Sequence, residues 1–269
     1  MPDGHDPWIL NSPGFGTTSS LARFWNSVGN GKDGLEADRY LAGQALVVAP
    51  DIADVPGVSD RFKLAAARYL VGQGIDQFID CNPGTQVVVS AHRAVQEMNP
   101  KAQVVYVNDD QIVLAHARAL LATNDLVEVV AADPFDAGDL RDLTKHVLDW
   151  SRPIALLQVG TLQHRPDAGE VMKSYLDVLG AGSYLVVSCW ERPAGQVAQR
   201  TASQLAALLT EAFGYTAFRH PDEIAHMVSG YKLVPPGIVS CTHWSATPSE
   251  SLPSNWLTEH TRAIVCRKT

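Results

Sequence analysis

Gln77–Leu121, QFIDCNPGTQVVVSAHRAVQEMNPKAQVVYVNDDQIVLAHARALL, reads as strand, tight turn, helix, strand, acidic turn, helix. QFIDC is a short apolar run stopped by Asn82, Pro83 and Gly84, the pattern of a buried parallel strand. QVVYV is a second run, rich in β-branched residues, ending in the polar cluster Asn108-Asp109-Asp110. Between them lies one helix's worth of chain, the minimum for a right-handed parallel crossover. Beyond them Val113, Ala117, Leu120 and Leu121 fall at i, i+4, i+7 and i+8, one apolar helix face. A βαβα unit with a Gly-containing first turn and an acidic second turn is the nucleotide-binding half of a doubly wound sheet. Asn108 lies 24 residues beyond Gly84, near the ~20-residue spacing at which an acid meets a ribose.

The layout has physical reasons. A ligand reaches strand ends only where the first turn is tight, and helix N-termini there offer unpaired N–H groups. A carboxylate after the second strand accepts from both ribose hydroxyls, a charge-assisted pair stronger than a neutral one.

Composition narrows the partners. The 269 residues are 46% hydrophobic, enough for a large core. Net charge is −8 and the longest basic run is Arg267-Lys268, which disfavours nucleic acid. No apolar run approaches the ~18 residues of a membrane span, and MPDGHDPWILNSPG lacks the basic and apolar regions of a secretory signal. Cys81, Cys189, Cys241 and Cys266 are scattered without a CxxC pair. They point to buried reduced thiols in a cytoplasmic protein, not to disulfides or a metal site.

In chain order, residues 1–18 form a loose Pro/Gly/Thr-rich arm. Residues 19–74 carry three helices, the third starting near an N-cap at Ser59 after breaks at Pro50 and Pro56, and ending at Gly72 and Gly74. They are expected to close as a lid over the strand ends. Residues 75–269 continue the alternation: LVEVVA ends at Asp133-Pro134, a helix spans about Gly138–Leu148, and PIALLQV exits through Gln158. A helix over Ala168–Leu179 leads to SYLVVSC. YKLV and RAIVC then follow without a helix between them, which predicts an antiparallel finish.

This order resembles the class I S-adenosylmethionine-dependent methyltransferase fold, a Rossmann-like seven-stranded sheet with an antiparallel last strand. At residue level the chain is similar to a bacterial family of uncharacterised methyltransferases with an N-terminal helical extension. Its G-K-D and A-D-R motifs read here Gly31-Lys32-Asp33 and Ala37-Asp38-Arg39. RYL, QGI and QFID precede the first turn, VVYVNDDQIVLAHARALL follows it, and SRPIALL, GSYLVVS and VPPGIV match later. The resemblance implies S-adenosylmethionine as cofactor and a small-molecule acceptor, with self-association left open. It implies that Asp80, Asn82, Gly84, Asn108, Asp109, Asp133 and Gln158 ring the cofactor, Asp133 at the adenine amino group, with Lys32 and Asp33 closing from the lid.

Departures cluster at those positions. Where class I enzymes carry D-x-G-x-G, this chain has Asp80-Cys81-Asn82-Pro83-Gly84. Pro83 pushes Asn82 toward extended geometry and removes an N–H from the loop. The family's acid after the second strand is Asn108, and its Y-D-Y-L-L is Trp25-Asn26-Ser27-Val28-Gly29. After the fourth strand the family's histidine has moved one place, to His164, where a general base is expected. His92 and His116 read as structural and solvated, Cys81 lacks an evident activator, and Phe24 and Trp25 read as packing. A second reading therefore stands beside methyl transfer: a relative that binds a ligand, or catalyses other chemistry, with an eroded cofactor motif. A nicotinamide oxidoreductase is disfavoured by the missing G-x-G-x-x-G.

Overall fold

The computed structural model describes residues 18–82, 90–244 and 252–269. The five parallel strands are β1 (Gln77–Asp80), β2 (Gln103–Asn108), β3 (Val127–Ala131), β4 (Ala155–Gln158) and β5 (Tyr184–Trp190). They are followed by two-residue strands β6 (Lys232–Leu233) and β7 (Val239–Ser240), then β8 (Thr261–Arg267). The sheet order is β3-β2-β1-β4-β5-β8-β6, with β7 also pairing β8. β8 runs antiparallel to β5, from Tyr184 opposite Arg267 to Trp190 opposite Thr261.

Alternate residues of each strand enter opposite cores, as a pleat requires. Ile79, Val105, Val107, Leu156, Leu185, Val187 and Ile264 pack with α6 (Ala137–Thr144) and α7 (Ala168–Val178). Phe78, Val104, Tyr106, Leu157, Val186 and Val265 pack with α3 (Val55–Gly72), α4 (Ala91–Gln96) and α5 (Gln111–Leu120). A third core joins α1 (Leu21–Val28) and α2 (Glu36–Val48) through Phe24, Val28, Leu41 and Ala45 to Trp190. Leu205 and Leu209 of α8 (Gln196–Phe213) complete it.

Several expectations are corrected. α3 starts at Val55, not near Ser59, because Pro56 sits in its first turn, where the missing N–H costs nothing. Ser59 is buried in the helix interior. α3 lies along a sheet face through Val58, Phe62, Ala66 and Leu70, so only part of residues 19–74 reaches the strand ends. A boundary at residue 74 divides a shared core.

The helix expected over 138–148 ends at Thr144. The chain end is busier than two strands: α9 (Pro221–Met227), β7 and α10 (Trp256–Glu259) are added. The seven-stranded path is present, with β7 as an eighth, two-residue strand.

Candidate active site

The site is assembled where parallel strands end and the chain turns away, leaving backbone groups outside the ladder. At the end of β1, Asp80 is 1% exposed. Its Oδ1 accepts from Asn82 N at 3.1 Å, and its Oδ2 lies 3.1 Å from Lys63 Nζ. Lys63, from α3, is itself 3% exposed and donates to the Asn82 carbonyl at 3.0 Å. Burial alone would lower the Lys63 ammonium, but Asp80 and Asp60 beside it outweigh that and hold it above its ordinary value. Asn82 Nδ2 donates to Val159 O at 3.1 Å and so ties the first turn to the exit of β4. Gly160, next in the chain, takes a left-handed φ of +78° that favours glycine. Gly84 lies outside the described residues.

The turn after β2 is built around side chains that return to the backbone. Asn108 Oδ1 accepts from Asp110 N at 2.8 Å, which leaves its Nδ2 as the atom able to face a ligand. Asp110 caps α5, its Oδ1 accepting from Ile112 N at 2.8 Å and Val113 N at 3.1 Å. Its other oxygen is bound by Arg23 of α1. Arg23 also donates to Asp38 Oδ2 at 2.7 Å and to the Thr18 carbonyl at 3.1 Å. Asp38, fully buried, accepts in addition from Ser20 N and Leu35 N. This network fixes α1 and the start of α2 over the end of β2.

Asp109 and Asp133 are exposed carboxylates in one electrostatic neighbourhood. Crowding by the protein raises Asp109, and the charges of Asp133 and Asp110 add to the rise. Asp133 Oδ1 accepts from Phe135 N at 2.9 Å, a local turn that leaves the other oxygen outward. Asp33 accepts from Asn26 Nδ2 at 3.3 Å and lies 3.8 Å from His116 of α5, so this loop sits beside the second turn. Lys32 is exposed.

Two expected site residues face elsewhere. Gln158 is fully buried, its amide donating to Pro134 O at 2.5 Å and accepting from Thr161 Oγ1 at 2.9 Å. That amide holds the exits of β3 and β4 together and is not directed to the cleft. His164 lies in a 3₁₀ turn, Leu162–His164, clamped by Arg219, whose Nη1 donates to Leu162 O at 2.8 Å. Its ring packs against Trp25, Trp190 and Phe213, and burial pushes the imidazole down to about 3. Cys81 is buried and its thiol is pushed well above the ordinary range, as befits packing and not attack. His92 accepts a structural role: its Nδ1 meets the Tyr106 hydroxyl at 2.9 Å.

The sequence reading missed Lys63, Arg23, Asp38 and Trp190. A signal existed for Lys63: with Ser59, Ala66 and Leu70 it falls on the buried stripe of α3, where a charge needs a partner.

Parallel strands in the order 3-2-1-4-5, an antiparallel strand beside β5 and polar turns at their carboxyl ends define a class I methyltransferase fold. The family profile described as S-adenosyl methyltransferase matches residues 16–268, and the chain belongs to that family. Two solved structures are similar over nearly their full length. A candidate methyltransferase from Thermobifida fusca YX is 32% identical, with TM-score 0.85 and 99% of each chain covered. A DUF574 family protein from Streptomyces avermitilis MA-4680 is 25% identical, with TM-score 0.86, covering 94% of this chain and 98% of that one. No curated protein sequence matches. Among the described residues no helix is long and apolar enough to cross a membrane, and no group of three or more His, Cys, Asp or Glu is placed to hold a metal ion.

Proposed function

We propose that the cleft at the carboxyl ends of β1, β2 and β3 binds S-adenosylmethionine, and that the chain transfers its methyl group to a small molecule. The observation that carries this is the pair of exposed carboxylates Asp109 and Asp133 after β2 and β3 on a family fold. The donor set fits: the cofactor's ribose hydroxyls, adenine amino group and ammonium are all hydrogen-bond donors, and carboxylates accept from each. In this reading Asp109 and Asn108 meet the ribose and Asp133 the adenine. The Asp80–Lys63 pair shapes the first turn, and Asp33 closes the cleft from above. Bound there, the cofactor supplies an electrophilic methyl group. The protein's own part is placement of acceptor and donor in line, with water kept out by α1.

His164 is read differently from a general base. An imidazole held at about 3 is neutral at working pH but a poor proton acceptor.

A second reading has its own support. Asp80 is already neutralised by Lys63, and Asn108 carries no charge, so the rim is less anionic than a diol and an ammonium would favour. Such a cleft would hold a ligand without transfer.

Calorimetric titration with S-adenosylmethionine and S-adenosylhomocysteine decides between them, repeated with Asp133→Ala. Micromolar binding that weakens about tenfold in the variant supports the first reading, the loss expected for one charge-assisted bond. Absence of binding to both compounds removes it and leaves the second.

A further inference from the structure

The turn after β3 is closed on itself. The Asp133 carbonyl accepts from Asp136 N at 3.2 Å, and Asp133 Oδ1 accepts from Phe135 N at 2.9 Å. Pro134 has no N–H to offer. Its carbonyl is taken twice, by the Tyr175 hydroxyl of α7 at 2.9 Å and by Gln158 Nε2 at the end of β4 at 2.5 Å. Both carbonyls of the Asp133-Pro134 pair are thus engaged within the protein. The acceptor this pair leaves for a ligand is Oδ2 of the exposed Asp133 side chain.

The two donors come from inside the molecule. Tyr175 and Gln158 are both fully buried. Gln158 is itself held, its Oε1 accepting from Thr161 Oγ1 at 2.9 Å, and the Cys81 side chain at the end of β1 lies against the Tyr175 hydroxyl. A buried hydroxyl and a buried amide each need a partner, but that need does not bring both to one carbonyl. Two donors from different elements fix that carbonyl in two directions, one residue from the carboxylate. The next residue is held as well, with the Arg165 guanidinium 4.5 Å from the centroid of the Phe135 ring.

Where such a carboxylate sits decides which base it accepts. A 6-amino purine presents N–H donors at position 6 and a bare lone pair at N1. A 6-oxo purine reverses both: its O6 is an acceptor and its N1 carries a proton. A carboxylate only accepts. Held opposite position 6, it bonds the amino group and opposes the oxo group. Free to slide toward N1, it bonds the oxo purine instead and opposes the lone pair of the amino purine.

We infer that Tyr175 and Gln158 are positioning residues: through the Pro134 carbonyl they hold Asp133 in register with position 6 of the cofactor's purine, and so set a preference for an adenine over a hypoxanthine nucleoside. This rests on the S-adenosylmethionine reading of the cleft. Neither residue touches the cofactor. Tyr175 acts from α7 and Gln158 from β4, so the turn after β3 is aimed by the two elements that follow it in the chain.

The test is calorimetric titration of the full-length protein with S-adenosylhomocysteine and with S-inosylhomocysteine, which carries the 6-oxo group and the N1 proton. Wild type should bind the first at least about tenfold more tightly, the effect of one charge-assisted bond made or opposed. Tyr175→Phe keeps the ring in its packing and removes one donor, and Gln158→Met removes the other. In each variant the ratio of the two affinities should fall to roughly threefold or less, as the loosened carboxylate reaches the N1 proton. The ratio is the readout because a merely structural loss weakens both ligands alike and leaves it unchanged. Should Tyr175→Phe not fold, Gln158→Met carries the test alone. A selective wild type whose ratio survives in the folded variants overturns the inference and leaves the cofactor reading standing, as does a wild type that binds both nucleosides equally. Binding of neither nucleoside to wild type overturns both.

Discussion

At the scale of single residues, the decisive group is one that the sequence hides among apolar neighbours. Lys63 and Asp80 are both almost fully buried, and each is the other's counter-charge. Replacing such a pair with apolar residues can be neutral, but removing one partner leaves an unpaired buried charge. Lys63→Met should therefore cost about 3–5 kcal/mol, read as a lower urea midpoint, and Lys63→Arg should recover part of it. A loss below about 1 kcal/mol would mean the pair is solvated. His164 gives a second check, with a sign fixed by its environment. Its pKa in the folded protein is about 3, below the ordinary 6.5, so the unfolded chain takes up a proton that the folded chain refuses. The stability it contributes is whole above about 6.5 and lost as pH falls toward 3, by at most about 5 kcal/mol. His164→Phe should flatten the fall between those pH values, measured as the difference between the two urea-midpoint profiles. Parallel profiles would show that the imidazole is not desolvated. What the sequence made legible at this scale was the position of Asp80, Asn108, Asp109 and Asp133 at or just after strand ends, because turns after strands advertise themselves. Gln158 was misread, since a polar residue at a strand exit looks the same whether it faces a cleft or bridges two loops.

At the scale of elements, α1 is held by charge as well as by packing. Phe24 and Val28 fill the third core, while Arg23 links Asp38 to Asp110 at the cap of α5. The link joins α1 to the very turn that holds Asn108 and Asp109. Arg23→Met removes three donated bonds and leaves Asp38 with only backbone N–H partners. Amide exchange in Leu21–Val28 should then quicken at least tenfold, the effect of about 1.4 kcal/mol on local opening. Exchange in β1, β2 and β4 should not change. Uniform acceleration would show instead that α1 opens only with the whole molecule. Elements were legible where they were long and periodic: five strands and α5 have clear patterns. Two-residue β7 and four-residue α10 have none, because a single pair of ladder bonds or one helical turn leaves no period to read. Pro56 was read as a breaker although it starts α3, since the same fixed φ serves both ends of a helix.

At the scale of the molecule, the sheet is covered by helices on both faces, and α1 and the start of α2 are tied to its carboxyl edge through Arg23. The sheet was legible from alternation alone. The placement of α3 was not, because its one apolar face could lie on a sheet or on other helices, and only tertiary contact decides. This division makes a prediction about coupling. A ligand that binds only the folded state stabilises it by RT ln(1 + [L]/Kd), about 2.7 kcal/mol at a hundredfold excess over Kd. For a domain of this size that is a rise in Tm of roughly 5–10 °C. S-adenosylhomocysteine should give such a rise in the wild type, growing with the logarithm of its concentration. If the lid contributes to binding, part of the ligand's free energy is used to order α1 against the second turn. Arg23→Met should then shift the whole response to about tenfold higher ligand concentration, while its slope against log concentration stays the same. An identical midpoint and slope in the two proteins would place α1 outside the binding event and confine the cofactor to the strand ends. A rise lost altogether in the variant, with circular dichroism unchanged, would assign the lid a larger share: it would then be the element that creates the site rather than one that closes it.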